Sequence, residues 1–315
     1  MEKPKECFKT SVGGQALMEG IMMRGPKKIC VAVRKPDGEI DLTMEDVKHH
    51  KWQKIPFVRG AFSMIENLVL GYRYLMHSAE VSMPEEEQEE PGKLDKWLQE
   101  HTGPKFQNFL MGLAAVMGGM LAIVLFMVLP TAVVGGVNHF VNLGWGKVLL
   151  EGVLKIAMFV IYLFLCTRMK DIHRVFEYHG AEHKTIFCYE NEEELTVENV
   201  RKQIRFHPRC GTSFMVLMLI VGIVIGLFIP VAPFGIGFLR PVFKILLLPV
   251  SCGVGYELIK ICGKHDNAFT RIIAAPGLWA QRITTKEPDD KMIEVAIEAM
   301  KAVIPDDGTD IINNK

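Results

Sequence analysis

Residues 106–134 read FQNFLMGLAAVMGGMLAIVLFMVLPTAVV, and no charged residue interrupts them. About 20 apolar residues are enough for a helix to cross the roughly 30 Å hydrocarbon core of a bilayer. Three further apolar runs follow, at residues 148–166, 213–228 and 242–261. The last run is weaker because Lys244 and Pro249 lie within it, so a re-entrant or buried soluble helix is the alternative there. The sequence predicts an α-helical integral membrane protein with about four transmembrane helices.

The overall charge excludes some classes of partner. The 315 residues contain 36 Lys+Arg and 36 Asp+Glu, which gives a formal net charge of zero. A nucleic-acid-binding protein needs a basic excess or a basic face, so we expect no nucleic-acid partner. A hydrophobic content of 49% excludes an acidic disordered chain.

The cysteines and the N-terminus indicate a reducing compartment. There are seven cysteines, an odd number, and their spacing does not resemble a secreted disulfide framework. The opening residues, MEKPKECFKTSVGG, lack the apolar core of a signal peptide. We therefore expect the first hundred residues to remain in the cytosol.

The basic residues predict the orientation of the spans. The segment 167–211 carries eight Lys and Arg residues, whereas the other two connections carry one each, Lys147 and Arg240. Because cytoplasmic loops are enriched in Lys and Arg, both termini and the 167–211 loop are expected to be cytoplasmic. This predicts a multi-pass plasma-membrane protein. Its partners would be the lipid bilayer and an unknown substrate or protein at the cytoplasmic face.

The polar segments define the remaining organisation. Residues 1–80 are predicted to form a cytoplasmic mixed α/β segment, with strands at 29–34 and 39–42 and an amphipathic helix at 58–79. Residues 81–92 hold five glutamates and two prolines, and we predict an acidic linker there.

The membrane region is expected to cover residues 93–262, beginning with the amphipathic stretch KLDKWLQEH at 93–101. That stretch could lie at the membrane interface or form an ordinary surface helix. Residues 263–315 form the predicted cytoplasmic tail, with a helix at about 289–303.

The 167–211 loop contains EYHGAEHKTIFCYE, in which His179, Glu182 and His183 form an H-x-x-E-H motif. On a helix the two histidines lie one turn apart on one face, where two imidazoles can bind a divalent transition metal. Zinc is the first expectation from His and Cys ligands, with Mn²⁺ or Fe²⁺ as alternatives. The motif matches the inverted zincin pattern, in which the glutamate is the general base. Glu182 is therefore the candidate catalytic residue.

Three residues compete to complete the ligand set. His207 and Cys210 precede the third apolar run, and Glu257 follows at a sequence distance typical of the third inverted-zincin ligand. A closed structural site would use His179, His183, His207 and Cys210 together. A third interpretation has the histidines bind only headgroups or backbone carbonyls. Glu182 favours an open catalytic site, because a closed four-ligand site does not need it.

The segment GGQALMEG at residues 13–20 is also distinctive. Its two glycines allow tight backbone geometry or an anion-binding nest, but the phosphate-binding loop pattern is absent. Glu19 and Arg24 could reach the membrane-face site or form a salt-bridged turn in a small α/β domain.

Four separated motifs, GGQALMEGIMMRG, EYHGAEHKTIFCYE, HPRCGTSF and PGLWAQRITTKEPDD, together resemble the YqhQ-like family of bacterial integral membrane proteins. The resemblance covers almost the whole chain and implies a bacterial plasma-membrane protein. Family members are described as a domain of unknown function and as predicted metal-dependent enzymes. His179, Glu182, His183, His207 and Cys210 lie inside the matching motifs, and the Gly-Tyr-Glu sequence ending at Glu257 also resembles the family pattern.

Two functional hypotheses follow. The first is a metal-dependent hydrolase with its H-x-x-E-H site at the cytoplasmic membrane face. The alternative is a non-enzymatic membrane scaffold or regulator with a structural His/Cys metal site. Transport is weakly supported, because Glu151, Lys155 and Lys244 are placed near the outer ends of their spans rather than at mid-membrane.

Overall fold

The computed structural model describes residues 8–83, 104–144, 146–229, 239–265 and 267–313. Most of the predicted acidic linker and the whole stretch 93–101 lie outside these residues. The chain divides into two compact units. The sheet unit comprises Met1–Ser82, Leu163–Val221 and Leu248–Lys315, and the helical unit comprises Met83–Tyr162 and Gly222–Leu247.

The strands, in chain order, are β1 (Lys9–Thr10), β2 (Gly13–Leu17), β3 (Gly20–Arg24), β4 (Lys28–Arg34), β5 (Ile40–Asp46) and β6 (Ile311–Asn313). The helices of the described residues are α1 (Val58–Ser82), α2 (Pro104–Ile123), α3 (Leu129–Phe140), α4 (Gly146–Cys166), α5 (Lys170–Glu190), α6 (Val197–Lys202), α7 (Gly211–Phe228), α8 (Leu239–Leu246), α9 (Leu248–Lys264), α10 (Ala268–Thr284) and α11 (Asp290–Val303). A π-helical turn, Val124–Val128, joins α2 to α3.

The sheet unit is built on an antiparallel sheet with strand order β2-β3-β4-β5. The predicted hairpin is confirmed: β4 pairs with β5, and Arg34 lies opposite Ile40. The first hairpin, β2–β3, was not predicted, because glycines weaken the strand pattern at its start.

Helices cover both faces of this sheet. Alternate residues of a strand point to opposite faces, so Cys30 and Ala32 join a core with α5 and α11. Val31 and Val33 join a second core with Tyr74 of α1. The central strands are therefore apolar on both sides, as a strand buried between two helical layers must be.

The predicted apolar runs fall on helices. By length and composition, three stretches could cross a membrane: Gly112–Phe140, Gly146–Cys166 and Gly211–Phe228. The first continues beyond the predicted 106–134. Its π-turn ends two residues before Pro130, which has no N–H and whose ring crowds the carbonyl four residues earlier, so the hydrogen bonding cannot remain regular there.

The fourth predicted span, 242–261, is not one straight helix. Helices α8 and α9 are bent by 42° and are counted together as a broken span or a re-entrant loop. Pro249 lies in the first turn of α9, where a missing N–H is tolerated but cannot continue the hydrogen bonding of α8.

The segments predicted as loop and tail are more helical than expected. Half of the 167–211 loop is helix α5, and the tail contains α10 before the predicted 289–303 helix, observed as α11. Pro276 lies inside α10 and hides it from a sequence reading, because proline normally ends helices. Asp289 caps α11 by accepting a hydrogen bond from the Met292 amide at 2.8 Å.

We expect Gly60→Ala to destabilise the sheet unit. A Cβ at Gly60 of α1 would lie 2.7 Å from Tyr256 Cβ and 2.8 Å from the Cys252 carbonyl of α9. Overpacking of this kind costs about 2 kcal/mol. Gly112→Ala is the control, since its Cβ would meet nothing within 4 Å. Thermal unfolding in detergent should show a lower Tm for Gly60→Ala alone, and equal Tm values would contradict the close helix contact.

Candidate metal centre

The H-x-x-E-H motif lies in the second half of α5, where the helix is packed inside the sheet unit. Residues 180–186 are all buried. His179 and His183 are one turn apart, with ring centroids 4.4 Å from each other. The predicted helical arrangement of the two imidazoles is therefore present.

Cys210 completes a three-residue cluster. It lies immediately before α7, and its Sγ is 3.0 Å from Nε2 of His179. One donor atom from each of His179, His183 and Cys210 lies within 4.8 Å of the others. Ligand atoms around a tetrahedral zinc ion are roughly 3.5 Å apart, so small side-chain movements suffice to surround one ion.

Backbone carbonyls orient both imidazoles. Nδ1 of His179 is 2.8 Å from the Thr284 carbonyl, and Nδ1 of His183 is 2.6 Å from the Arg205 carbonyl. A carbonyl only accepts, so both Nδ1 atoms carry a proton and donate it, which makes Nε2 of each ring the atom that could bind a metal once it is deprotonated. Metal-binding histidines are commonly held in this way by an acceptor on the other ring nitrogen.

The Nε2 atom of His183 gives an independent sign of a ligand. It is buried and has no hydrogen-bond partner among the described residues. A buried polar atom of this kind normally costs free energy unless something satisfies it. Its position beside Cys210 and His179 fits a metal ligand.

The charges of the cluster favour the metal-binding form of the thiol. Burial alone would lower the pKa of His179, but Cys210 and Glu182 raise it to about 9. Burial alone would raise the pKa of Cys210, but the imidazoles of His179 and His183 hold it well below its ordinary value. Thiolate is the form that binds metals, so the neighbouring imidazoles favour the form of Cys210 that a metal would require.

Glu182 contacts the β2–β3 hairpin. Burial raises the pKa of its carboxyl, and the nearby Gly14 amide opposes this with a smaller effect. A Cβ at Gly14 would lie 3.0 Å from Cδ of Glu182 and 2.6 Å from the Met22 carbonyl. The glycine therefore permits a close approach between strand and carboxylate. This agrees with the expectation that the glycines of the GGQALMEG segment allow tight backbone geometry.

The rest of that segment forms salt bridges. Glu19 binds the Arg174 guanidinium of α5, with one oxygen 2.6 Å from Nη2, and Arg24 binds Glu66 at 3.1 Å. Glu19 and Arg24 therefore attach the hairpin to its neighbouring helices, and the structure does not bring them into the His/Cys cluster.

His207 belongs to a separate polar network. Gln281 holds its backbone, accepting from the His207 amide at 2.8 Å and donating to its carbonyl at 2.6 Å. Its Nε2 lies 3.3 Å from Nη2 of Arg209 and 3.8 Å from Glu190. Burial together with the positive charge of Arg209 lowers the pKa of His207 to about 4. The His207 ring lies beside that of His183, with centroids 5.6 Å apart, but its nitrogens are not among the donor atoms that lie within 4.8 Å of one another.

Glu257 is likewise elsewhere, on α9. Both of its carboxylate oxygens bind the Arg59 guanidinium, at 2.7 Å for Oε1, and Oε1 also accepts from the Phe57 amide at 3.1 Å. Glu257 therefore joins α9 to the start of α1 and is not brought to the clustered donors. Sequence distance alone could not separate it from Cys210.

Sequence reasoning missed the contributions of backbone atoms. The carbonyls of Thr284 and Arg205 and the amide of Gly14 all contact motif residues, yet main-chain groups leave no residue-type signal. Gly13 and Gly14 were the sequence feature that indicated a backbone contact, since glycine permits close approach of the backbone.

Gly14→Ala should disturb both stability and the position of Glu182. The new methyl group would overlap the Met22 carbonyl and press on the Glu182 carboxyl. We expect a loss of about 2 kcal/mol, measured as a lower Tm. Gly13→Ala is the matched control, since a Cβ at that position meets nothing within 4 Å. Equal effects of the two substitutions would show that the Gly14 contact is unimportant.

Glu190 should stabilise the protein in a pH-dependent way. Burial alone would raise its pKa, but His207, Arg209 and the Thr10 amide lower it from 4.5 to about 2. Its contribution is therefore complete above pH 4.5 and disappears as the pH falls towards 2. Glu190→Gln leaves Arg209 without its buried partner, which costs about 3 kcal/mol at neutral pH.

The measurement for Glu190 is thermal unfolding at a series of pH values. The Tm difference between wild type and Glu190→Gln should shrink between pH 4.5 and 2. Glu198→Gln, which removes an exposed carboxylate, should change little at any pH. A constant difference across this range would contradict the lowered pKa of Glu190.

Comparison with known proteins places this arrangement in a family. The family model described as "Protein of unknown function (DUF1385)" matches residues 55–306. "Uncharacterized protein YqhQ" of Bacillus subtilis (strain 168) is 33% identical over 301 residues, which cover 93% of this chain and 92% of that protein. No solved structure matches. The chain belongs to the DUF1385 family of YqhQ-like proteins.

Proposed function

We propose that this protein is a multi-pass membrane protein that binds one divalent transition metal through His179, His183 and Cys210, and that it acts as a metal-dependent hydrolase. The observation that carries the proposal is the cluster of two imidazoles and one cysteine sulfur, whose donor atoms lie within 4.8 Å of one another. Each imidazole is fixed by a backbone carbonyl, so the site is oriented without any contribution from a bound ion.

The donor set favours zinc. Two imidazole nitrogens and a thiolate suit Zn²⁺, whereas Mn²⁺ prefers oxygen ligands. Three protein ligands leave one position open, the usual arrangement of a catalytic site. When bound there, the ion would supply Lewis-acid chemistry and lower the pKa of water.

Glu182 is the proposed general base. It is next to His183 on α5, is buried and has a raised pKa, which makes the carboxylate a stronger base. The Gly14 amide holds the carboxylate from the side of the sheet. A proton accepted by Glu182 would then be passed to the leaving group, with His179 and His183 remaining as ligands.

The proposed topology has four spans, with both termini and the site at the cytoplasmic face of the plasma membrane. The support is the set of apolar helices and the eight basic residues between the second and third spans. Helix α5 begins four residues after α4 ends, so its motif would lie just below the bilayer. Substrates would be peptides or lipid headgroups near the membrane surface.

A structural site in a membrane scaffold is the second candidate, and burial is the observation that favours it. His183 and Cys210 are 1% and 8% exposed, which restricts the approach of a substrate. The metal would then join α5 to the start of α7, and Glu182 would only bind the hairpin.

Metal content tests the site itself. Plasma mass spectrometry of detergent-purified protein should find about one zinc ion per chain, and His179→Ala/His183→Ala should lose it. His173→Ala is the matched control, because this histidine lies on the same helix but is exposed and pairs with Glu177. No metal in the wild type after zinc re-addition would overturn the proposal.

Cobalt substitution separates the two candidates. The visible absorption of the Co²⁺ protein should show a sulfur charge-transfer band that Cys210→Ser removes. Added azide should shift the remaining bands if one position is open, and leave them unchanged if the site is closed. Glu182→Gln should retain one metal per chain and lose hydrolysis of any substrate found with the wild type. A closed cobalt site would favour the scaffold.

A further inference from the structure

A second charged cluster lies in the helical unit and shares no residue with the His/Cys site. Glu151 and Lys155 of α4 meet Arg240 and Lys244 of α8, and these side chains are between 0% and 8% exposed. Sequence reasoning assigned Glu151, Lys155 and Lys244 to span ends, where charged groups reach water. The structure instead brings them together inside a largely apolar unit.

Glu151 is the common partner. Its Oε1 lies 3.1 Å from Nζ of Lys155 and binds Nζ of Lys244. Its Oε2 lies 3.5 Å from Nη1 of Arg240. The Thr131 hydroxyl also donates to Oε1 at 2.7 Å. The Glu151 carboxylate therefore forms ion pairs with all three cations.

The formal charge of the cluster is +2, from three cations and one carboxylate. If one lysine were neutral, the cluster would still carry +1. A buried charge without compensation is strongly destabilising, so a further negative charge would stabilise the charged form of this cluster. Ionisable groups inside apolar helices also commonly mark functional sites.

Arg240 shows where hydrogen bonding is incomplete. It is fully buried, and its Nε and Nη1 atoms have no hydrogen-bond partner among the described residues. Its Nη2 reaches the Gly226 carbonyl only at 3.5 Å. A guanidinium in this state has donors available for a ligand.

A small cavity adjoins these groups. Its volume is about 10 Å³, close to the space of a single water molecule. Glu151, Lys155 and Lys244 line it, together with Gly152, Gly222 and Gly226. A phosphate or a lipid headgroup is too large, but a monatomic ion needs little rearrangement.

We propose that Lys155 and Lys244, which line this cavity, bind a small monovalent inorganic anion with the buried charge of Arg240 nearby, and that chloride is the natural occupant. Chloride supplies the missing negative charge and accepts N–H donors without a strict direction. The ion is exchangeable, and its binding stabilises the packing of α4 against α8. This site is independent of the proposed metal chemistry.

The experiment uses the full-length wild-type protein in detergent, with chloride or gluconate at constant ionic strength. We expect chloride to raise the Tm saturably by about 5 °C. Bromide should replace chloride, and sulfate should not. Equal Tm values in chloride and gluconate, or equal stabilisation by sulfate, would overturn the proposal, because they would show either no binding or a general salt effect.

Lys155→Met should abolish the chloride dependence. Lys147→Met is the matched control, since Lys147 is on the same helix outside the cluster and its variant should keep the wild-type response. A Lys155→Met protein that keeps the dependence would contradict the site. Broadening of the ³⁵Cl resonance by wild-type protein, reversed by bromide, provides a test even if Lys155→Met fails to fold, and absence of broadening would overturn the proposal.

Discussion

Pairing of buried charge is the constraint on which this structure depends. Helix α5 carries Lys184 and Glu190 into the sheet unit, where they are 4% and 1% exposed. Lys184 binds Glu287, and Glu190 binds Arg209. Because unpaired buried charges are costly, these partners fix which segments pack against α5. The same contacts position the 203–210 segment, which delivers Cys210 to the two histidines.

Much of the architecture follows from sequence patterns. The β4–β5 hairpin and α1 follow from their periodicity and the apolar helices from their long uncharged runs, whereas α5 lies in a segment predicted as a loop. Helix α10 was not predicted because Pro276 lies inside it, and strand β2 was not predicted because it begins with two glycines. The bend between α8 and α9 depends on Pro249, whose effect on a helix is clear only when its neighbours are known.

The site was harder to predict, because its assembly is a long-range property. Cys210, His207 and Glu257 were equivalent candidates in the sequence, and only packing separates them. Gln281 and Arg209 hold His207, and Arg59 holds Glu257, which leaves Cys210 with the histidines. The buried cations of the helical unit were similarly misplaced at span ends, because sequence cannot show that Glu151 gathers them.

The close approach of Gly14 to the Glu182 carboxyl has a thermodynamic consequence. Strand β2 and the carboxylate beside the His/Cys cluster share one contact, so a change that moves either element alters the free energy of the other. Linkage is reciprocal. A ligand at the cluster that displaces Glu182 would change the affinity of the hairpin for a partner, and that partner would change the affinity of the cluster for its ligand by the same factor. Binding at the edge strand β2 and binding at the His/Cys cluster would therefore be thermodynamically coupled.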